Sequence, residues 1–143
     1  MIKSVFSASA LVAATLFASV SAHAGDAAVE RQALMKLNGA ATGVLAGMVK
    51  GQTEFDAVAA QQALNVLNSA ALGFGYMFPE GSESGANTEA SPAIWSERAG
   101  FDPAVAKYVK DTSATITDMD SLKAAFGAAA SNCGSCHKAY RTK

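Results

Sequence analysis

Neither charge sign dominates this 143-residue chain, and it contains little that alternates and few residues able to bind a metal. No segment repeats apolar and polar residues with period two for long enough to make a sheet. After the first two dozen residues, no apolar run is long enough to cross a bilayer. There are only two cysteines, Cys133 and Cys136, and two histidines, His23 and His137. No internal repeat is visible.

The N-terminus reads as an export signal. Lys3 provides the positive start, "VFSASALVAATLFASVSA" is an uncharged apolar run, and "AHA" at 22–24 offers the small residues of a cleavage site. A membrane anchor would need similar length, but the small-residue site and the polar "GDAAVERQ" after it favour cleavage after Ala24. The expected division is a signal peptide at 1–24 and one domain at 25–143, soluble after cleavage and located in the periplasm. Of the two histidines only His137 lies in that domain. Ten basic against twelve acidic side chains leave it near neutral, which excludes the basic surface a nucleic-acid partner requires.

What the chain does have is helical periodicity. Apolar residues at three-and-four spacing predict a first helix from about Asp26 to Lys50, stopped by Gly51. "TEFD" predicts a second, with Thr53 as N-cap and Asp56 three residues on. The Gly-, Ser- and Pro-rich stretch 78–92 is a long connection, and "AIWSERAG" adds a short helical turn after it. Asp102 as N-cap with Pro103 in the first turn predicts a third helix, and a fourth begins near Ser121. Two short connections and one long one predict an all-α, antiparallel four-helix bundle.

The fourth helix carries "CGSCHKAYR" at 133–141. A thioredoxin-like dithiol needs a strand–helix context that is absent here, and a structural zinc site needs four Cys or His ligands where the domain has three. Cys-x-x-Cys-His is also the haem-attachment pattern. On a helix, Cys133 and Cys136 face the same way and suit thioether bonds to two vinyl groups, with the His137 imidazole beneath the ring as axial ligand. This predicts one covalent haem c in the bundle interior, which would fill the centre of an Ala-rich chain. A core role for the cysteines alone leaves the adjacent histidine unexplained.

With that motif near its C-terminus, "RQALMK" in the first helix and "FPEGSESG…SPAIW" before the third, the chain resembles the cytochromes c′ and their low-spin relatives over the whole mature length. The resemblance implies a left-twisted bundle, a homodimer through the first helices, Arg31 and Gln32 on the propionate side of the haem, and Arg141 on the proximal side. It places Met35 on the distal side, either as sixth iron ligand or as a shield over an open position. Met48 and Met77 read as core, Met119 precedes the last helix on the wrong side for a ligand, and Trp95 reads as packing. A bis-histidine haem is excluded by the single histidine of the domain.

The leading expectation is electron transfer with a periplasmic redox partner. The alternative is binding of nitric oxide or carbon monoxide at a five-coordinate iron. An enzyme is not expected, because no distal histidine supplies the acid–base group that peroxidase chemistry needs. Lys123, Lys138, Arg141 and Lys143, with no acidic side chain after Asp120, suggest a positive rim that steers an acidic partner.

Overall fold

The computed structural model describes residues 21–142, with side chains from Ala27 onward. The signal sequence expected at 1–24 thus lies almost entirely outside the described residues. Four long helices run α1 (Ser21–Val49), α2 (Ala57–Phe74), α4 (Arg98–Thr112) and α5 (Met119–Tyr140), and the short α3 (Ala93–Ser96) precedes α4. Among the described residues there is no strand, only an isolated antiparallel bridge between Ala90 and Arg141. No helix among them is long and apolar enough to cross a membrane.

The bundle closes as a ring in which α1 neighbours α2 and α5, and α4 neighbours the same two from the opposite corner. Short turns join α1 to α2 and α4 to α5, as expected. Polar ties reinforce the seam between α2 and the α4–α5 side. Asn68 donates to the Val109 carbonyl at 2.9 Å and to the Thr112 hydroxyl at 3.1 Å, and the Gln61 side-chain carbonyl accepts from the Ile116 N–H at 2.7 Å.

The starts of α2, α4 and α5 differ from the sequence expectation, and each difference has a physical cause. Asp56, not Thr53, caps α2: its carboxylate accepts from Val58 and Ala59 N–H, while the Thr53 N–H is held by the Gly47 carbonyl in the turn leaving α1. Asp102 does not start a helix, because α4 already begins at Arg98, and Asp102 forms an i,i+4 ion pair with Arg98 at 2.6 Å. Pro103 therefore sits inside the helix. The extra turn brings the 2 %-exposed Phe101 into an aromatic cluster, which offsets the lost proline hydrogen bond. At α5, Asp118 accepts from the Ser121 N–H while the Ser121 hydroxyl accepts from the Asp118 N–H, a complete capping box.

The apolar core is in two pieces. One, at the end of the bundle with the short turns, joins Ala41, Leu45, Met48, Leu64, Leu67, Leu122 and Ala129, with Met119 against it. The other, at the opposite end, is built on Phe78, Ile94 and Phe101, with Phe74, Met77, Trp95 and Tyr140 around them. The methionines read as core therefore pack as core.

Candidate functional site between the two cores

Arg31, Phe78, Phe101 and Tyr140 define one level of the bundle. The Arg31 guanidinium lies 4.8 Å from the Phe78 ring centre, and Phe101 stacks edge-on against both Phe78 (5.0 Å) and Tyr140 (5.2 Å). A helix rises about 1.5 Å per residue. Met35 on α1 and Cys136 on α5 therefore lie roughly 6 Å further into the bundle, and Asn38, Cys133 and Tyr108 lie roughly 10 Å in. The first residues of the other core on α1 and α5, Ala41 and Ala129, stand about 15 Å away. On α1 and α5 the interval between the two cores is thus bordered by Met35, Asn38, Cys133 and Cys136, while on α4 the clusters adjoin, Val105 packing with one and Tyr108 with the other.

Helix phase shows which way these residues look. Asn132 is buried on α5 and donates to the Asp111 carboxylate of α4 at 2.7 Å, so that flank of α5 faces α4. His137, five residues on, lies about 140° round the helix, on the flank toward α1. On α1, Leu34 and Leu37 share a surface groove with Asn65, Val66, Ser69 and Ala70 of α2. Met35 is about 100° from Leu34 and about 160° from Leu37, which puts it on the flank toward α5. Helix phase thus sets Met35 and His137 on the adjoining flanks of α1 and α5, the least closely packed of the four lateral seams.

Three buried polar side-chain atoms have no hydrogen-bond partner: Arg31 Nε, Asn38 Oδ1 and the Tyr108 hydroxyl. Arg31 lies at the entrance level, and Asn38 and Tyr108 lie at one level further in, on α1 and α4. Buried polar groups are rarely left unpaired in native proteins, so orphans bordering the interval are consistent with an occupant that pairs or covers them. Both cysteines are free and half-buried, and burial raises both thiols above their ordinary value. Burial likewise pushes the Tyr108 hydroxyl far up, with smaller contributions from Cys133 and then Cys136, which places all three groups close together. His137 is exposed on the rim of the interval. Among the described residues no three His, Cys, Asp or Glu side chains converge on a point, so the motif is not a preformed chelate for a bare metal ion.

Arg31 and Gln32 occupy the entrance and hold the loop there. The Arg31 guanidinium donates to the Met77 carbonyl (2.8 Å), the Ser82 hydroxyl (3.0 Å), the Ser82 carbonyl (2.8 Å) and, weakly, the Thr88 hydroxyl (3.5 Å). Gln32 donates to the Ala86 carbonyl at 2.6 Å, where the backbone takes a left-handed turn through Ala86 (φ 45°) and Asn87 (φ 53°). Arg31 therefore presents no free fork to a carboxylate; its Nε–H alone is unspent.

Arg141 is also placed differently from the expectation. It caps α5 in an extended conformation instead of continuing the helix, and its guanidinium pairs with Glu89. The proposed positive rim is accordingly thin. Arg141 is neutralised, and Lys123 lies about 22 Å along α5 from Lys138. Lys143 is outside the described residues. Trp95 packs edge-on against Phe78 and donates its indole N–H to the Pro79 carbonyl at 3.0 Å, the packing role expected of it.

Sequence reasoning missed two groups, the loop residues that Arg31 grips and Asn38. Ser82 is fully buried inside a loop that reads as solvated, and nothing in its local sequence marks it. Asn38 did leave a signal: it is a polar residue seven positions after Arg31 and three after Met35, on an otherwise apolar stripe.

Comparison with known proteins identifies the family. The family model described as Cytochrome C' matches residues 26–141. This chain belongs to the cytochrome c′ family. A cytochrome c-556 from Agrobacterium fabrum is 36% identical over 140 residues, covering 93% of this chain and 94% of its own. The solved cytochrome c′ of Rhodopseudomonas palustris superposes with a TM-score of 0.78 at 37% identity, covering 82% of this chain and 97% of that one. A nitric oxide complex of a cytochrome c′ variant from Alcaligenes xylosoxidans superposes with a TM-score of 0.75 at 31% identity, covering 84% of this chain and 97% of the other. Family membership makes this a haem protein of four-helix-bundle type, and the two free, half-buried thiols of the Cys-x-x-Cys-His motif have the chemistry to hold that group.

Proposed function

We propose that the protein is a periplasmic monohaem c-type cytochrome that carries electrons, with one haem held between α1 and α5. Cys133 and Cys136 would hold it through two thioether bonds, and His137 and Met35 would bind the two faces of the iron. When bound, the haem supplies a one-electron couple; the protein's part is to fix its ligands and surround it with a medium of low polarity. What supports this reading is the Cys-x-x-Cys-His motif on α5 together with helix phase, which sets Met35 on the flank of α1 that adjoins the flank bearing His137. A thioether and an imidazole so placed favour electron transfer, because a ligand on each side leaves little to rearrange when the charge changes, and methionine–histidine ligation raises the potential. Arg31 Nε–H is the donor available to a propionate, with Gln32 beside it, and Arg141 would close the proximal side through its pair with Glu89. By family analogy the first helices would also form a homodimer; Val29, Leu37 and Val44 of α1 are exposed and suit that role.

The second reading is a five-coordinate haem that binds nitric oxide or carbon monoxide, with Met35 only covering the distal face. It is favoured by the nitric oxide complex of the Alcaligenes xylosoxidans relative. The visible spectrum of the reduced holoprotein with and without carbon monoxide separates the two. Sharp split bands indifferent to carbon monoxide support Met35 ligation, and conversion to a high-spin, carbon monoxide-sensitive spectrum in Met35→Ala would complete the case. A wild-type spectrum that is already broad and shifts with carbon monoxide refutes the electron-carrier reading in favour of the gas-binding one.

A further inference from the structure

Asn38 is buried, only 8 % exposed, and its side-chain carbonyl oxygen has no hydrogen-bond partner. It lies seven residues after Arg31 and seven before Leu45, so all three share nearly one line along α1, directed at the bundle axis. Leu45 is fully buried in the core beyond, and Arg31 closes the entrance, so Asn38 sits between them at the level of Cys133. The Tyr108 hydroxyl, on the diagonally opposite helix, is also unpartnered and does not reach it. A helix of this length could have buried an alanine or leucine there at lower cost, since an amide taken from water without a partner is destabilising by about 1–3 kcal/mol.

An unpaired carbonyl oxygen presents the negative end of a dipole to whatever fills the gap. In a buried, weakly polar site that dipole is poorly screened. A haem carries one more positive charge when oxidised than when reduced, so a fixed negative end beside it favours the oxidised state.

We infer that Asn38 is a potential-setting residue: its carbonyl oxygen faces the haem and holds the midpoint potential below that of an apolar site. The inference rests on the haem position proposed above, but not on Met35 being a ligand. It assigns Asn38 no bond to the iron and no proton transfer; the residue acts only through the field it places on a one-electron couple.

The test compares Asn38→Val with Asn38→Thr in the full-length holoprotein, by redox titration and visible spectrum. These two side chains have the same shape and the same helix cost, and differ by a methyl against a hydroxyl. A helical threonine donates its hydroxyl hydrogen to the carbonyl one turn back and keeps its oxygen outward, so it preserves a negative end. The expected result is a midpoint potential in Asn38→Val above both Asn38→Thr and wild type, with the same reduced spectrum in all three. A value in Asn38→Val equal to or below that of Asn38→Thr overturns the inference. So does a spin-state change confined to Asn38→Val, which would make Asn38 a support for Met35 instead. A wild-type protein that binds carbon monoxide would remove the Met35 assignment and leave this comparison decisive. A wild type with no covalent pigment would overturn both readings.

Discussion

Replacing Arg31 with alanine tests how the entrance to the site is held. The guanidinium makes three strong hydrogen bonds to the 77–88 segment and lies over the faces of Phe78 and Trp95, at 4.8 and 5.6 Å from their ring centres. It is only 5 % exposed, and desolvation draws its ionisation below the ordinary arginine value, opposed by the charge of Glu83. A charge-assisted hydrogen bond contributes about 1.5–3 kcal/mol. Three of them do not add fully, because the loop carbonyls regain water once the clamp is gone. A net loss of about 3–5 kcal/mol is expected, comparable to breaking a buried ion pair. For a domain near 120 residues that corresponds to a fall in Tm of roughly 10–20 °C.

Arg31→Lys should recover little of this, since an ammonium cannot reproduce the planar fork that reaches Met77 and both polar atoms of Ser82. The assay is denaturant unfolding of the holoprotein combined with limited proteolysis. The loop at 78–92 should become the first cleavage site in Arg31→Ala while the helices stay resistant. A loss under about 1 kcal/mol, the scale of a surface pair, would refute the clamp, as would a large loss with the loop still protected.

Replacing Cys133 and Cys136 together with alanine should abolish covalent pigment; colour that survives acid–acetone extraction in the double variant would refute the attachment. Gly127→Ala, at an exposed helical site with open space around the new methyl, should stabilise α5 by about 0.5–1 kcal/mol. Gly51→Ala, at φ +68°, should destabilise by a similar amount, and thermal melts of the pair read both signs. The Asp118 carboxylate is held below its ordinary value of 3.8, chiefly by the Ser121 N–H and hydroxyl. A group with a lowered folded pKa stabilises above the unfolded value and loses that contribution as pH falls through the folded one. Asp118→Asn should therefore flatten the part of the stability–pH curve below about 4, leaving the neutral arm unchanged in slope, as read by unfolding at a series of pH values.

Helix number, topology and the position of the motif were legible in the sequence because each rests on local rules: three-and-four spacing, a capping acid, a glycine stop. The errors arose where a distant contact chose between local options. Thr53 and Asp56 are both competent caps, and the pull of Gly47 on the Thr53 backbone decided for Asp56. Asp102–Pro103 is a sound start signal, overridden because Phe101 needed a helical turn to reach Phe78 and Tyr140. Arg31 pointed at the right end of the site, but its grip on residues 46 and 51 positions away has no sequence signature. The same holds for Arg141, which left the helix to pair with Glu89 once Ala90 came alongside.

The divided core also explains why the site and the fold cannot be separated in this protein. Each apolar cluster spans one end of the bundle; on α2 and α4 the two approach through Ala70, Ala71, Val105 and Tyr108, and on α1 and α5 they stay apart across the level of Met35 and Cys136. Over its whole length α1 packs least closely with α5, the helix that bears the motif. An aliphatic core at that level would have closed the seam and paired no polar atoms. Instead the chain leaves Asn38 and Tyr108 facing the gap and keeps the cysteines half-exposed to it. A flat apolar group bonded to α5 and contacting α1 would join the two clusters into one core and draw the open seam together. On the proposed reading the haem is therefore both the redox centre and the middle of the hydrophobic core. The entrance clamp at Arg31 then retains more than a loop, because loosening it exposes the layer that joins the two halves of the bundle.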